Sequence, residues 1–439
     1  MRSFQTFPIK DPVHLVPKVL AWAGKQDANI ALLNSNGYPN SSQSLLVAIG
    51  VHEAFTADAA FDGNLLEALR AFQRRHSDWM FGFLSYDVKN HIEHLVSQKP
   101  QPAGFPLAYF FVPQVLIRLN GDQVEVAMHP DDPRHAASVW KEVENMHALE
   151  PQWPEGLAFR QRMTENEYKK RAEQILGHIR RGDIYEMNFC QEFYATDAGL
   201  DPDLAYLHLA RHFPSPFSCY FRCGEQFVLS ASPERYLKKS GSELISQPMK
   251  GTIGRGRDAG EDRRQIDLLR GNPKEQSENV MIVDLVRNDL SRIAEKGSVS
   301  VSELFGIQTF PKVHQMVSTV RATLRSGVDF WDCVKASFPM GSMTGAPKIR
   351  SMELIDTFEQ VSRGLYSGTI GYLTLEGDFD FNVVIRTLLY NRQNQYLSLH
   401  TGSAITSRAV PEDEYRECLL KAHSVLTSSQ LSNPISPMN

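Results

Sequence analysis

Segments with strand character cluster near the two ends of this chain, and helical segments lie between them. Apolar or alternating runs predict strands at residues 30–33, 44–51, 79–86, 115–127, 366–375, 379–390 and 395–399. Over residues 275–296 the apolar residues instead recur at helical spacing. Because strands and helices do not alternate regularly, this order predicts an α+β fold rather than a series of βαβ units.

Local signals define several element boundaries. Asn120-Gly121 divides residues 115–127 and predicts a hairpin. Thr164, followed three residues later by Glu167, forms a capping-box pattern at the start of a helix. Pro411 precedes acidic residues, as expected for the first turn of the last helix.

The length of 439 residues allows two or three domains or one large unit. The Pro-rich segment 151–157 indicates a boundary or a crossover. We therefore expect an N-terminal region over residues 1–150 and a second region over residues 160–425. The polar tail, residues 428–439, is expected to be disordered.

Composition excludes several classes of protein. With 46 basic and 51 acidic residues the net charge is −5, which argues against a nucleic-acid binder. An anionic small molecule would need local cations or a bound metal. The five cysteines suggest no disulfide framework, and Cys219 and Cys223 are expected to be strand thiols rather than metal ligands. No secretory signal or membrane span is evident, so a cytoplasmic location is expected.

A glycine-rich loop surrounds one lysine. In residues 247–256 (QPMKGTIGRG), Lys250 precedes three glycines that would let backbone N–H groups approach an anion. The order differs from that of a P-loop, where the lysine follows the glycines, and from a dinucleotide fingerprint. The alternative interpretation is a surface turn with a solvated lysine.

Three carboxylates are candidates for chemistry. Glu234 lies before Lys250, Glu278 begins a long helix, and Glu417 lies four residues before Lys421 on the last helix. Each alone is more often a surface acid. Two inward-pointing carboxylates from different helices would suit Mg²⁺, which takes one or two carboxylates plus water and substrate oxygens.

Two further features could bind an anion. Thr344-Gly345 precedes Ala346-Pro347 and could open a helix with free N–H groups. Arg386 stands in an otherwise apolar strand, where it needs an acidic partner. A substrate carboxylate and a structural ion pair remain equal alternatives for that partner.

Eight segments in order resemble the chorismate-utilising enzymes. They are SPE (232–234), PMKGT (248–252), SENVMIVDLVRNDLSRI (277–293), VHQMVSTV (313–320), GSMTGAPKIR (341–350), YSGTIGY (366–372), IRTLL (385–389) and YRECLLKA (415–422). The resemblance covers roughly residues 160–425. It implies two twisted, mainly antiparallel sheets packed face to face with helices outside. Residues 1–150 resemble the N-terminal region of the same family's large subunits.

The resemblance also implies a reaction. PMKGT is similar to the PIKGT form typical of aminodeoxychorismate synthases, whereas anthranilate synthases usually have alanine where Lys250 stands. The implied reaction converts chorismate and ammonia to 4-amino-4-deoxychorismate, a precursor of p-aminobenzoate and folate. Lys250 is the implied nucleophile, which needs a lowered pKa, and Glu234 the implied general acid. Glu278 and Glu417 are the implied Mg²⁺ ligands.

The remaining site residues are implied in the same way. The substrate-binding residues are Thr252, His314, Thr344, Gly345, Tyr372, Arg386, Gly402 and Lys421. A satisfied core histidine is the alternative for His314. Ser35, in Leu32-Leu-Asn-Ser35, resembles the segment that holds tryptophan in relatives, although a plain strand-to-turn segment fits equally well.

This sequence departs from the family pattern at two places. Glu186 stands where ammonia users usually have glutamine and water users have lysine. We expect no water activation there, and the carboxylate could hold ammonium. Ser403 and Ala404 replace residues that are usually glycine and could crowd the backbone around Gly402.

No glutaminase motif with a cysteine nucleophile is present, so the resemblance implies a separate glutamine amidotransferase as the ammonia source. The alternative functions are anthranilate synthase component I and a non-catalytic subunit that binds chorismate or an amino acid.

Overall fold

The computed structural model describes residues 2–26, 28–38, 43–93, 95–97, 99–426 and 435–436. Its helices and its antiparallel strands form an α+β fold, as predicted. The helices are α1 (Leu15–Lys25), α2 (Leu65–His76), α3 (Lys89–Ile92), α4 (Ala136–Glu144), α5 (Glu165–Arg180), α6 (Pro202–His212), α7 (Ala259–Gly271), α8 (Pro273–Ser291), α9 (Phe330–Ser337), α10 (Lys348–Phe358) and α11 (Pro411–Leu426). None of these helices is both long enough and apolar enough to cross a membrane.

The strands run throughout the chain. They are β1 (Phe4–Pro8), β2 (Ile30–Asn34), β3 (Leu45–Ala57), β4 (Met80–Leu84), β5 (Ala108–Asn120), β6 (Gln123–Met128), β7 (Phe159–Gln161), β8 (Glu186–Ala195), β9 (Phe217–Cys223), β10 (Gln226–Ser232), β11 (Arg235–Ser240), β12 (Glu243–Gln247), β13 (Met249–Gly254), β14 (Ser300–Thr309), β15 (Val313–Thr323), β16 (Gly345–Ala346), β17 (Thr369–Leu373), β18 (Phe379–Asn382), β19 (Thr387–Asn391), β20 (Tyr396–Thr406) and β21 (Ile435–Ser436).

Two sheets share the long strands β3 and β5. The first runs β1-β6-β5-β3-β2-β9-β10-β19-β20-β8, and the second runs from β3 and β5 through β4, β17, β18, β11 and β12 to β15. Between them, the β3–β5 register shifts between Val51 and Glu53, opposite Pro113. A bulge and a proline bend paired strands, and here they let one strand pair enter both sheets.

The two sheets pack face to face through aromatic side chains. Phe221 of β9 lies 5.4 Å from Phe83, 6.0 Å from Tyr109 and 5.9 Å from Phe111, measured between ring centroids. Helices α1, α4, α6 and α11 cover the outer face of the first sheet, and α2, α8 and α9 cover the second. The predicted sandwich with helices outside is confirmed.

The N-terminal region contributes strands to both sheets. β2 pairs with β9, and β4 pairs with β17, so residues 1–150 and 160–425 form their sheets together. Most of the tail predicted to be disordered lies outside the described residues. Its two described residues, Ile435–Ser436, pair in parallel with Phe159–Arg160.

Local predictions can be compared directly with the structure. The capping box at Thr164 forms, and the turn at Asn120-Gly121 connects β5 to β6. The strand predicted over residues 379–390 is wrong, because β18 ends at Asn382 and β19 begins at Thr387. The chain turns there: Ile385 N–H donates to the carbonyl oxygen of Val383 at 3.0 Å, and Arg386 has a φ of +50°.

Candidate functional site

Lys250 and Glu186 form a buried ion pair at the centre of the candidate site. Lys250 lies on β13 and Glu186 opens β8, and their Nζ and Oε1 atoms are 2.5 Å apart. The Lys250 side chain is 11% exposed and that of Glu186 1%. The second carboxylate oxygen of Glu186 is buried without a hydrogen-bond partner among the described residues. The surface-turn interpretation of Lys250 is therefore wrong.

A glycine fixes the position of Glu186. Gly345, on β16, pairs with Met187 directly after Glu186, and a Cβ atom at position 345 would lie 2.1 Å from the Glu186 carbonyl oxygen. Its φ of +146° also disfavours any side chain. Ser351 Oγ, on α10, donates to the same carbonyl oxygen at 3.2 Å. The glycine predicted to bind an anion thus brings β16 against β8.

The pKa of Lys250 is raised in this structure, whereas a nucleophilic lysine needs a lowered pKa. Burial lowers the pKa of Lys250, but the charges of Glu186 and Glu278 and the hydrogen bond to Glu186 outweigh it. The resulting pKa lies above the ordinary lysine value. Lys250 is thus an ammonium group in this structure, and it must give up a proton before it can act as a nucleophile.

Glu234 has the properties of a general acid. It lies between β10 and β11, is 4% exposed, and accepts a hydrogen bond from Ser342 Oγ at 2.7 Å. Burial raises the pKa of Glu234 to about 7, although Ser342 and the charge of Lys250 oppose the increase. A carboxyl group with this pKa is substantially protonated at neutral pH and can donate a proton.

Arg386 is a half-buried cation whose charge interacts with that of Glu234. It lies in the turn between β18 and β19 with φ of +50°, an uncommon backbone conformation for a residue other than glycine. Burial lowers the pKa of Arg386 to about 10, and the charge of Glu234 partly offsets this. No salt bridge of Arg386 with a described residue is present. The ion-pair alternative therefore loses support, which leaves the guanidinium available for a substrate carboxylate.

The carboxylates predicted to hold Mg²⁺ lie on α8 and α11. Glu278 is 6% exposed, and its Oε1 atom has no hydrogen-bond partner among the described residues. Burial raises the pKa of Glu278 to about 7. The negative charges of the nearby Glu186 and Glu275 contribute to this increase. Glu278 and Glu417 both interact electrostatically with two lysines. These lysines are Lys250 and Lys274.

The two predicted ligands differ in environment, because Glu278 is buried whereas the Glu417 side chain is 44% exposed and pairs with Lys421 at 2.6 Å. Glu414, one helical turn before Glu417, also has a buried Oε2 atom without a partner among the described residues. Buried carboxylates that lack partners are costly, and a bound Mg²⁺ would satisfy them. The sequence analysis missed Glu414, although its spacing of three residues from Glu417 places both on one helix face. It also missed Ser342, the hydrogen-bond donor to Glu234.

His314 and Thr252 do not fit their predicted roles. His314 is fully buried, and its two ring nitrogens lie 2.9 Å from Thr309 Oγ1 and 2.9 Å from Asp262 Oδ1. It is the satisfied core histidine of the alternative interpretation, because neither ring nitrogen remains for a ligand. Thr252 is exposed, and Gln315 Nε2 donates to its hydroxyl group at 3.3 Å.

Thr344 and Lys421, both predicted to bind substrate, donate hydrogen bonds to backbone carbonyl groups. Thr344 Oγ1 donates to the carbonyl oxygen of Met340 at 3.1 Å, and Lys421 Nζ donates to that of Gly402 at 2.8 Å. Lys421 also pairs with Glu417 at 2.6 Å. β19 pairs with β20 only as far as Leu399, so one edge of β20 at Gly402 is not covered by β19.

The expected crowding by Ser403 does not occur on the Gly402 face. Successive side chains of a strand point to opposite faces. The Ser403 hydroxyl lies 3.0 Å from the Tyr168 hydroxyl group, on the helix side of the strand. Ala404 shares the face of Gly402.

Ser35 and Tyr372 line a second cavity. Its lining also includes Asn34, Asp380 and Asn382. The Tyr372 ring stacks on Trp79, with centroids 5.6 Å apart. Tyr372, predicted to bind substrate, thus lines the same cavity as Ser35.

Comparisons with known proteins agree with this geometry. A family model described as chorismate binding enzyme matches residues 30–427. Aminodeoxychorismate synthase component 1 of Klebsiella aerogenes is 36% identical over 345 residues, covering 79% of this chain and 76% of that protein. Anthranilate synthase component 1 of Thermus thermophilus is 31% identical over 431 residues, covering 91% and 92%.

Solved structures show the same fold. Anthranilate synthase component I from Streptococcus pneumoniae aligns with a TM-score of 0.75 and 26% identity, covering 89% of this chain and 93% of that one. The chain spans between 28% and 76% of the length of the matching aminodeoxychorismate synthases. The match over residues 30–427 shows that this chain belongs to the chorismate binding enzyme family.

Proposed function

We propose that this chain is an aminodeoxychorismate synthase that converts chorismate and ammonia to 4-amino-4-deoxychorismate, the precursor of p-aminobenzoate and folate. The observation that carries the proposal is the buried amine of Lys250, whose charge interacts with the buried carboxyl group of Glu234. A nucleophile and an acid in one site serve a two-step substitution, whereas binding alone requires neither.

The first step joins Lys250 to the substrate ring. The neutral amine attacks ring C2, the conjugated double-bond system of the ring shifts by one position, and the C4–oxygen bond breaks. Glu234 gives its proton to the departing hydroxyl group, which leaves as water. Before the attack, Glu186 Oε1 is the acceptor closest to the Lys250 ammonium group, at 2.5 Å.

The second step releases the lysine. Ammonia attacks C4, the double bond shifts back, and the C2–nitrogen bond to Lys250 breaks. We assign Glu186 to the ammonia site, because its unpartnered Oε2 atom is an acceptor for ammonium. In Glu186→Ala the KM for ammonium is expected to rise by about tenfold, as expected for a lost charge-assisted hydrogen bond, while the KM for chorismate changes less.

The two carboxylates of chorismate need cationic partners. Glu278 and Glu417 would hold Mg²⁺, which when bound neutralises the ring carboxylate. Arg386 is assigned to the enolpyruvyl carboxylate, since it is a half-buried cation whose charge interacts with that of Glu234. The edge of β20 at Gly402 adds backbone N–H groups.

The test combines purified protein, chorismate, Mg²⁺ and ammonium salt, with products identified by mass. We expect aminodeoxychorismate from the natural protein and none from Lys250→Ala. Lys296→Ala, at an exposed lysine, is the matched control and should retain activity. Mass spectrometry of the trapped protein should find the substrate adduct on the natural protein and not on Lys250→Ala. Normal synthesis by Lys250→Ala contradicts the proposal.

Anthranilate synthase component I is the second candidate, because proteins of that name match most of this chain. Fluorescent anthranilate as the product of the same assay would support it. Unchanged chorismate despite binding would support a non-catalytic subunit.

We also propose that a separate glutamine amidotransferase supplies the ammonia. Glutamine should then support synthesis only when such a subunit is added, whereas ammonium salt supports it without one. For the cavity at Ser35 we propose an amino-acid ligand such as tryptophan. Calorimetry with tryptophan tests this, and Ser35→Trp, which would fill the cavity, should abolish the binding.

A further inference from the structure

A group of histidines lies outside the candidate catalytic site, at the bend shared by the two sheets. His52 stands at the β3 bulge, and His129 follows β6, where its N–H donates to the carbonyl oxygen of Gln114 at 2.7 Å. Asp131 comes two residues after His129. Strand β5 lies between β3 and β6, so the sheet brings together residues that are 77 positions apart in the chain (129 − 52).

The ligand atoms of these three residues converge. One nitrogen of each histidine and a carboxylate oxygen of Asp131 lie within 4.8 Å of one another. Asp131 Oδ2 is 3.7 Å from His129 Nδ1 and 3.9 Å from His52 Nε2. In a tetrahedral zinc site, with metal–ligand bonds of about 2.0–2.1 Å, neighbouring ligand atoms lie about 3.3–3.4 Å apart. The two distances to Asp131 exceed this by about half an ångström or less, and the bound of 4.8 Å for all three atoms leaves the two histidine nitrogens to move closer together.

A second carboxylate supports His129. Its Nε2 atom lies 3.9 Å from Asp78 Oδ2, and Asp78 is held by Arg2 Nε at 2.8 Å. A carboxylate that accepts a hydrogen bond from the second nitrogen of a metal-binding histidine orients the ring and increases its basicity, and Asp78 would have to move closer than 3.9 Å to do so. Because Arg2 is paired with Asp78, its positive charge is largely compensated.

The site is accessible to solvent and to a ligand. His52, His129 and Asp131 line an open groove of about 530 Å³ that also contains Trp22, Asn29 and Arg134. The two rings stack 3.7 Å apart, so the His52 ring, 32% exposed, must turn about its Cβ–Cγ bond to share an ion.

We propose that His52, His129 and Asp131 bind one divalent transition-metal ion of the zinc type, with a fourth position open to the groove. Two imidazoles and one carboxylate favour such an ion over Mg²⁺, which prefers oxygen ligands. The site is separate from Glu278 and Glu417 in residues and in ligand chemistry, so the proposal does not depend on the proposed function.

Zinc titration by calorimetry, with the full chain in Mg²⁺-containing buffer, tests the site. We expect one equivalent of zinc that is retained by Glu278→Gln, a change at the separate carboxylate site. His52→Ala and Asp131→Ala should each weaken binding by at least about tenfold, and Asp78→Asn by about tenfold. His147→Ala, at an exposed histidine, is the matched control.

Cobalt provides a second measurement. Co²⁺ should give the visible absorption of a low-coordinate nitrogen and oxygen site, and His52→Ala should abolish it. Circular dichroism confirms that each variant is folded, which is expected because His52 and Asp131 are both exposed. Absence of zinc binding, equal binding by the His52→Ala and natural proteins, or loss of the zinc equivalent in Glu278→Gln overturns the proposal.

Discussion

At the scale of single residues, burial and neighbouring charges set the pKa values of the candidate site. Glu234 and Glu278 are acids whose pKa values burial raises to about 7, while Lys250 keeps its proton because Glu186 lies against it. The sequence identified all four residues. It could not determine their protonation, because Glu186 and Lys250 are 64 positions apart in the chain and only the folded sheets bring them into contact.

Glu234 should make stability depend on pH. Its pKa rises from 4.5 in the unfolded chain to about 7 in the fold, so the folded state binds more protons and loses stability as pH rises through that interval. Glu234→Gln should therefore be more stable than the natural protein at pH 8, by on the order of 1–3 kcal/mol, and similar at pH 4. Denaturant unfolding at the two pH values measures this difference. An equal difference at both would contradict the assignment.

The pair of Lys250 and Glu186 should be energetically coupled. Removing one partner leaves the other as an uncompensated buried charge, which costs about 3–5 kcal/mol. In a double-mutant cycle, Glu186→Ala and Lys250→Ala should each destabilise the protein, and the double variant should be destabilised by about 1–3 kcal/mol less than their sum. Urea denaturation supplies the four free energies. Effects that add to within about 0.5 kcal/mol would show that the two groups do not interact.

At the scale of elements, local signals predicted where many elements begin, but not where tertiary contacts interrupt them. The Thr164 capping box and the Asn120-Gly121 turn depend on neighbouring residues, and both are present. The segment between β18 and β19 is held by a contact from another part of the chain, because Val384 N–H donates to the Gly368 carbonyl oxygen at 2.9 Å. Apolar periodicity could not reveal this interruption.

Gly345 should be intolerant of substitution. Gly345→Ala would place a Cβ atom 2.1 Å from the Glu186 carbonyl oxygen in a strained backbone conformation, at a cost above about 2 kcal/mol. We expect a lower Tm and weaker activity, because Glu186 moves with β8. Gly199→Ala is the control, since a Cβ atom there has no neighbour within 4 Å among the described residues. Equal Tm values for the two variants would contradict this role of Gly345.

At the scale of the whole molecule, the contact between the sheets stabilises the fold and holds the elements that carry the site. Phe221 contacts three aromatic rings of the opposite sheet. Phe221→Ala should therefore cost about 3–5 kcal/mol of unfolding free energy, while Val13→Ala, at a 79% exposed side chain, should stay within about 0.5 kcal/mol. Chemical denaturation of both variants measures this. A small effect at Phe221 would mean that the sheets do not depend on this contact.

The sequence by itself determined the class of fold, the family and the identity of Lys250, Glu234, Glu278 and Glu417, because strand periodicity, motif order and residue type are properties of the chain. Tertiary structure alone decided that Lys250 carries its proton against Glu186, that His314 is satisfied in the core, and that Tyr372 lines the cavity of Ser35. The physical reason is that pKa values and hydrogen-bond partners depend on burial and on charges distant in sequence, which no local pattern specifies.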